Sequence, residues 1–187
     1  MKKTLILIVI ILTSNLVDAQ FIKEKAINAQ IGFALSTPKN SLGYVVNSGF
    51  FAQAEFVLKI ASWLEMRPYA GFISIKSNGK DLRNINTSEK AESNAFLLGG
   101  KVRVRAPLPW VAPYLEIGIG GSIGEFETIA TPYKIDKNGI IYQIPISIGL
   151  ELGRNNNFAL GFTYFLQSFV EQHAAAFAIG ITFPLNK

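Results

Sequence analysis

From Ala174 to Phe183 the chain alternates strictly: Phe177, Ile179, Ile181 and Phe183 are bulky, and Ala176, Ala178, Gly180 and Thr182 between them are small. A period of two belongs to a β-strand, whose successive side chains point to opposite faces. A soluble sheet sets its apolar face against polar residues that tolerate water, not against glycine and alanine. Bulk on one face and almost none on the other suits the wall of a narrow barrel in lipid. There, large side chains meet hydrocarbon and small ones line a cramped lumen.

Seven further segments repeat the period, over about 26–36, 50–60, 64–75, 95–106, 111–121, 141–152 and 158–167. Across 50–60, Phe50, Phe56, Leu58 and Ile60 oppose Gln53, Glu55 and Lys59; across 64–75, Leu64, Met66 and Phe72 oppose Glu65, Arg67, Tyr69 and Gly71. Phe96, Leu98, Val102 and Val104 oppose Gly99, Lys101, Arg103 and Arg105. Leu115, Ile117 and Ile119 oppose Tyr114, Glu116, Gly118 and Gly120, and the isoleucines from 144 to 148 oppose Gln143, Ser147, Gly149 and Glu151. Each segment is close to the roughly 9–11 residues that cross a bilayer as a tilted strand. Together they predict an all-β fold: an eight-stranded antiparallel up-and-down transmembrane β-barrel. Pro145, mid-strand and without a ladder donor, predicts a bulge.

Connection lengths set the orientation. Ala61–Trp63, Pro107–Trp110 and Gly153–Asn157 are short, whereas Thr37–Gly49, Lys76–Asn94 and Ser122–Ile140 are long. Ser168–Gln172 is short and departs from the trend. Outer-membrane barrels have short periplasmic turns and long external loops, so both termini are expected on the periplasmic side. Trp63, Trp110, Phe158 and Phe183 then fall near the periplasmic turns, where an interfacial aromatic girdle belongs.

A lipocalin-like soluble carrier has the same period with its faces reversed. Volume separates the two, because the apolar faces supply about thirty bulky groups and even a packed eight-stranded barrel interior takes roughly three layers of four. A two-sheet sandwich could bury that many and stands as the structural alternative. With the polar face inside, Glu55, Lys59, Glu65, Arg67, Lys101, Arg103, Arg105, Glu116 and Glu151 all point into the lumen. Unpaired charges at that density are too costly, so an ion-paired interior is expected, with Lys59 opposite Glu65 and Lys101 opposite Glu116. Such a lumen is a filled core; the competing reading is a narrow porin-like channel.

The first residues read as a signal peptide. Lys2 and Lys3 precede an unbroken apolar run from Leu5 to Leu12, and Val17-Asp18-Ala19 permits cleavage before Gln20. The stretch is too short for a spanning helix. The expected organisation is a signal peptide over 1–19 and a barrel domain over 20–187. Removing 1–19 leaves 168 of the 187 residues and takes the formal charge from +5 to +4, as two lysines and an aspartate are lost. There is no cysteine, so neither disulfides nor thiolate metal sites are available. Basic runs are absent and the chain is exported, which argues against a nucleic-acid partner.

The segments ending the leader at Asp18-Ala19-Gln20, Arg67-Pro68-Tyr69-Ala70-Gly71, Ala112-Pro113-Tyr114-Leu115-Glu116-Ile117-Gly118 and Phe177 to Phe183 resemble a known family. It is the small outer-membrane β-barrel domain group of Gram-negative bacteria, porin-like and eight-stranded. The resemblance implies residence in the cell outer membrane, contact with its lipid and lipopolysaccharide, and monomeric insertion by the barrel-assembly machinery through an aromatic signal such as Phe183.

Chemistry is sparse. His173 is the single histidine, and Ala174 and Ala175 follow it where lipid A deacylases, the enzymes it would resemble, place a serine. A His173-dependent lipid-modifying enzyme is thus the weaker alternative, and no catalytic residue, metal site or cofactor is assigned. The external segments carry Lys39, Lys76, Lys80, Arg83, Lys90, Lys134 and Lys137, cations fit to meet anionic lipid phosphates.

Overall fold

A computed structural model of the chain describes residues 22–39, 45–83, 85, 87–130, 133–167 and 170–185; the leader read over 1–19 lies outside them. Eight strands follow one another: β1 (Glu24–Pro38), β2 (Asn47–Ala61), β3 (Leu64–Lys76), β4 (Lys90–Arg105), β5 (Trp110–Ala130), β6 (Tyr133–Gly153), β7 (Phe158–Leu166) and β8 (Gln172–Pro184). Each pairs antiparallel with its neighbours, and β1 pairs with β8 from Ala26↔Pro184 to Pro38↔Gln172, so the sheet closes and no strand edge is left along this wall. One end carries the turns β2–β3, β4–β5 and β6–β7 together with both described chain ends, Leu185 N–H donating to Lys25 O at 2.8 Å. The opposite end carries the loops.

The alternation resolves as large-out. Phe177, Ile179 and Ile181 are 48, 58 and 43% exposed, whereas Arg67 and Arg103 are 1 and 0% exposed. Hydrocarbon side chains therefore coat the cylinder and ionic ones lie within it. Two tyrosines occupy the spaces left by paired glycines. Gly99 and Gly120 face each other across β4 and β5 beside the Tyr69 hydroxyl, and a Cβ on Gly99 would stand 2.8 Å from that oxygen. Gly149 and Gly161 on β6 and β7 do the same for Tyr114, where a Cβ on Gly161 would meet its hydroxyl at 2.6 Å. Close approach, not backbone freedom, demands glycine there.

Two sequence expectations are corrected. Ser122–Ile140 is not a loop: β5 and β6 stay paired from Ser122↔Ile141 up to Ala130↔Tyr133. Lys134 and Lys137 accordingly lie on β6 rather than in a loop. Nine further residues on β5 add roughly 30 Å of strand, about 20 Å of height at the usual tilt. Nor does Pro145 cause a bulge. The β5–β6 pairing lapses between Ile117↔Ile146 and Gly120↔Gln143 and resumes in the same register, while Pro145 stays opposite Phe165 on the β7 side. A missing N–H removes a rung without inserting a residue. Among the described residues the register shifts between Lys59 and Ala61, at the β2–β3 turn.

Candidate functional site in the lumen

The inward side chains form two storeys. Nearest the turn end, eight charged groups converge from β2, β3, β4, β5 and β6. Arg67 Nη1 donates to Glu55 Oε2 at 2.7 Å, Nε and Nη2 to Glu65 Oε2 at 2.8 and 2.6 Å, and Nη2 to Glu151 Oε1 at 3.1 Å. Arg103 Nε donates to Glu116 Oε1 at 2.6 Å and Nη1 to Glu151 Oε1 at 2.5 Å, and its guanidinium lies 3.6 Å from the Tyr114 ring centroid. Lys101 Nζ reaches Glu116 Oε2 at 3.1 Å and also pairs with Glu55. Arg105 Nη1 sits 2.8 Å from Glu151 Oε2 and 3.5 Å from Glu65 Oε1. Four bases thus face four acids. Charges taken out of water at this density persist only when met by opposite charge and directed hydrogen bonds. Every group here has an opposite-charge partner within 4.0 Å, while Arg103 Nη2, Arg105 Nε and Glu151 Oε2 lack a hydrogen-bond partner among the described residues.

Lys59 stands apart from the set that alternation assigned it to. It does lie opposite Glu65 in the register, but its side chain is 29% exposed at the mouth and its Nζ pairs with Glu24 at 2.5 Å. Its departure leaves the interior balanced. The register also places Arg103, not Lys101, opposite Glu116, with Lys101 opposite Gly118; a flexible four-carbon stem still brings Lys101 to Glu116 diagonally.

Above the ions lies a neutral polar layer. Gln143 Nε2 donates to the Tyr69 hydroxyl at 3.3 Å, and Ser122 Oγ and Gln167 Nε2 donate to Gln143 Oε1 at 2.8 and 3.1 Å. Toward the loop end the second storey is apolar. Phe51, Ile73, Ile75, Leu97, Phe126, Ile141 and Phe165 are buried together, and the rings of Phe51 on β2 and Phe165 on β7 meet across the lumen at 6.2 Å. Val170, from the β7–β8 connection, is fully buried in the same cluster, its carbonyl accepting from Thr128 Oγ1 at 2.7 Å. Sequence reasoning did not find this storey. Its signal is present as doubled apolar residues, Phe50-Phe51, Phe72-Ile73, Phe96-Leu97, Ile140-Ile141 and Phe165-Leu166, where both faces of a strand are hydrophobic.

The four aromatics assigned to an interface are exposed and near the turn end: Trp63 in the β2–β3 turn, Trp110 opening β5, Phe158 opening β7 and Phe183 near the end of β8. His173 lies on the outer side near the loop end, its Nδ1 hydrogen-bonded to the Tyr164 hydroxyl. Lys90 pairs with Glu127 at 2.6 Å and Lys39 with Glu171 at 3.3 Å. Among the described residues no group of three or more His, Cys, Asp or Glu is arranged to hold a metal ion, and no helix is long and apolar enough to cross a membrane, which bears only on helices.

No family model matches the chain, and no curated protein matches it. Solved structures do. The chain is similar to Neisserial surface protein A, with a TM-score of 0.59 and 13% identity over 85% of this chain and 96% of that one. It also aligns with Ail, the attachment invasion locus protein of Yersinia pestis, with a TM-score of 0.48 and 14% identity over 86% of this chain and 98% of that one. The fold is that of the small eight-stranded outer-membrane barrels.

Proposed function

We propose that this chain is an integral outer-membrane barrel that works passively: a rigid cylinder, closed by its own side chains, holds its loop end outside the cell. The observation that carries this is the pairing of three buried bases and the half-buried Arg105 with four buried acids beneath an apolar storey. A lumen filled with matched charge and hydrocarbon offers ions no continuous wet path. The turn end, with both termini, then faces the periplasm, and Trp63, Trp110, Phe158 and Phe183 form the inner aromatic girdle. The leader over 1–19 directs export, and the barrel-assembly machinery inserts the chain as a monomer. Outside, the β5–β6 hairpin and the 77–89 loop are the parts that touch lipopolysaccharide or other surfaces.

The test is conductance. Purified protein reconstituted in planar bilayers is expected to pass no steady current, and well-resolved ion steps would replace this reading with a narrow channel. His173, followed by Ala174 and Ala175, is read as an interfacial residue rather than a catalytic one. Lipid A incubated with the wild type and with His173→Ala is expected to emerge unmodified from both.

A further inference from the structure

We propose that Asn78, at the start of the 77–89 loop, is a self-modifying residue: the loop closes its side chain onto the Gly79 nitrogen as a succinimide, which opens to aspartate and isoaspartate. Asn78 and Gly79 follow β3 by one residue, and both are exposed to water. The step is an acyl transfer. Hydroxide takes the proton from the Gly79 nitrogen, and that nitrogen adds to Asn78 Cγ. The Cγ–Nδ2 bond then breaks, and ammonia leaves with a proton from water, which restores the hydroxide. Water next adds to one of the two imide carbonyls. Addition at Cγ returns an ordinary aspartate; addition at the main-chain carbon leaves the chain running through Cγ as isoaspartate.

Three features of the loop serve that step. Lys80 N–H donates to Asn78 Oδ1 at 3.1 Å, so a donor already stands at the oxygen that turns negative when the nitrogen adds. Gly79 N–H donates to Ser77 Oγ at 3.2 Å, which puts an acceptor on the departing proton and a hydroxyl able to pass it to solvent. Gly79 has a φ of 70°, and a Cβ there would meet nothing within 4 Å, so the ring closes into open space. The frame around these groups is tied down: Ser77 N–H donates to Glu92 Oε1 at 2.9 Å and Thr87 N–H to Gly79 O at 3.0 Å. Reacting groups held in place need less ordering to react.

A second copy of the dipeptide supplies the contrast. Asn138-Gly139 on β6 is equally exposed, but Asn138 lies opposite Glu125 and Gly139 opposite Gly124 in the β5–β6 ladder. Pairing holds the backbone that has to rotate, and the Glu125 carboxylate stands beside an oxygen that has to become negative. Conversion at Asn78 also changes the loop. Lys80 and Arg83 balance Asp81 and Glu89 in 77–89, so one new carboxylate takes this segment from net zero to −1.

Full-length protein is incubated at mildly alkaline pH, folded in detergent or unfolded in urea, and the two dipeptides are followed by peptide mass spectrometry. Unfolded, they are expected to convert at similar rates. Folded, Asn78 is expected to convert about tenfold faster than it does unfolded, and Asn138 more slowly than it does unfolded. Ser77→Ala leaves the dipeptide and removes the acceptor; it should slow Asn78 about tenfold in the folded protein alone, and Ser77→Thr, which keeps a hydroxyl, should restore the rate. Asn138 gauges folding in each variant, because loss of the ladder raises it to its unfolded rate. Asn78 converting no faster folded than unfolded, or Ser77→Ala converting at the wild-type rate, overturns the proposal.

Discussion

Arg103→Met tests whether the interior ions act as one balanced unit. The substitution keeps a long side chain and removes the charge, leaving four acids against three bases. It deletes the hydrogen bonds to Glu116 at 2.6 Å and Glu151 at 2.5 Å and the stack on Tyr114 at 3.6 Å. Breaking a buried pair from one side costs about 3–5 kcal/mol, because the opposite charge stays buried. Here Glu116 keeps Lys101 at 3.1 Å, and Glu151 keeps Arg105 at 2.8 Å and Arg67 at 3.1 Å. The loss should therefore fall at the lower end, about 3 kcal/mol. Urea unfolding from lipid vesicles, followed by the fluorescence of Trp63 and Trp110, reads it directly. Adding Glu151→Gln restores balance at three against three, so the double variant should be more stable than the summed single losses by at least about 1 kcal/mol. Lys59→Met, at the exposed mouth pair with Glu24, should cost less than about 1 kcal/mol. If Arg103→Met costs no more than Lys59→Met, or the double variant is merely additive, the interior is not a coupled ionic unit.

The outward face and the glycine seats give two further expectations. Ile179→Arg places a guanidinium on the lipid side at mid-wall and should cost about 2–4 kcal/mol in the same unfolding assay, against about 0–1 kcal/mol for Ile27→Arg near the turn end; equal costs would mean that the wall does not face hydrocarbon. Gly120→Ala drives a Cβ into the Tyr69 hydroxyl and to 2.7 Å from the Leu98 carbonyl, so a loss of about 1–3 kcal/mol is expected. Tyr69→Phe in that background should recover part of the loss, and no recovery would place the strain wholly in the backbone.

How far the sequence speaks depends on which face of each strand carries the contrast. Near the turns the contrast is extreme: Val102 and Val104 against Lys101, Arg103 and Arg105, or Leu115 and Ile117 against Glu116. Inside and outside could be assigned there from side-chain volume alone. Toward the loop end the contrast vanishes, since Phe50-Phe51 or Phe96-Leu97 is apolar on both faces, and the second storey went unseen. Above the hydrocarbon the outward face turns polar. Glu125, Glu127 and Asp136 replace the isoleucines while the backbone stays paired, so the β5–β6 extension reads as loop. A ladder needs partners, not grease. Lys59 marks a different limit: alternation fixes a face but not a depth, and the rim offers Glu24 at lower desolvation cost than the interior.

The uneven contrast also explains what charged residues contribute to a core that hydrocarbon could fill equally well. Replacing a buried ion set by packed apolar groups is often neutral or stabilising, so stability is a poor reason to keep eight charges. Register is a better one. A slip of one residue exchanges the two faces of a strand. In the loop-end half the exchange merely swaps Phe50 for Phe51 or Phe96 for Leu97. In the turn-end half it carries Arg67, Arg103 or Glu116 into lipid, at about 2–4 kcal/mol for each basic group. The ionic storey thus penalises every wrong register that the apolar storey tolerates. A variant with Glu55, Glu65, Arg67, Lys101, Arg103, Arg105, Glu116 and Glu151 all replaced by Leu or Met should unfold at a urea concentration near that of the wild type once folded. It should nonetheless yield a smaller folded fraction and extra bands on heat-modifiable gels after refolding into vesicles. A single sharp folded band at wild-type yield would show that the register is set by the turns and the outward face alone.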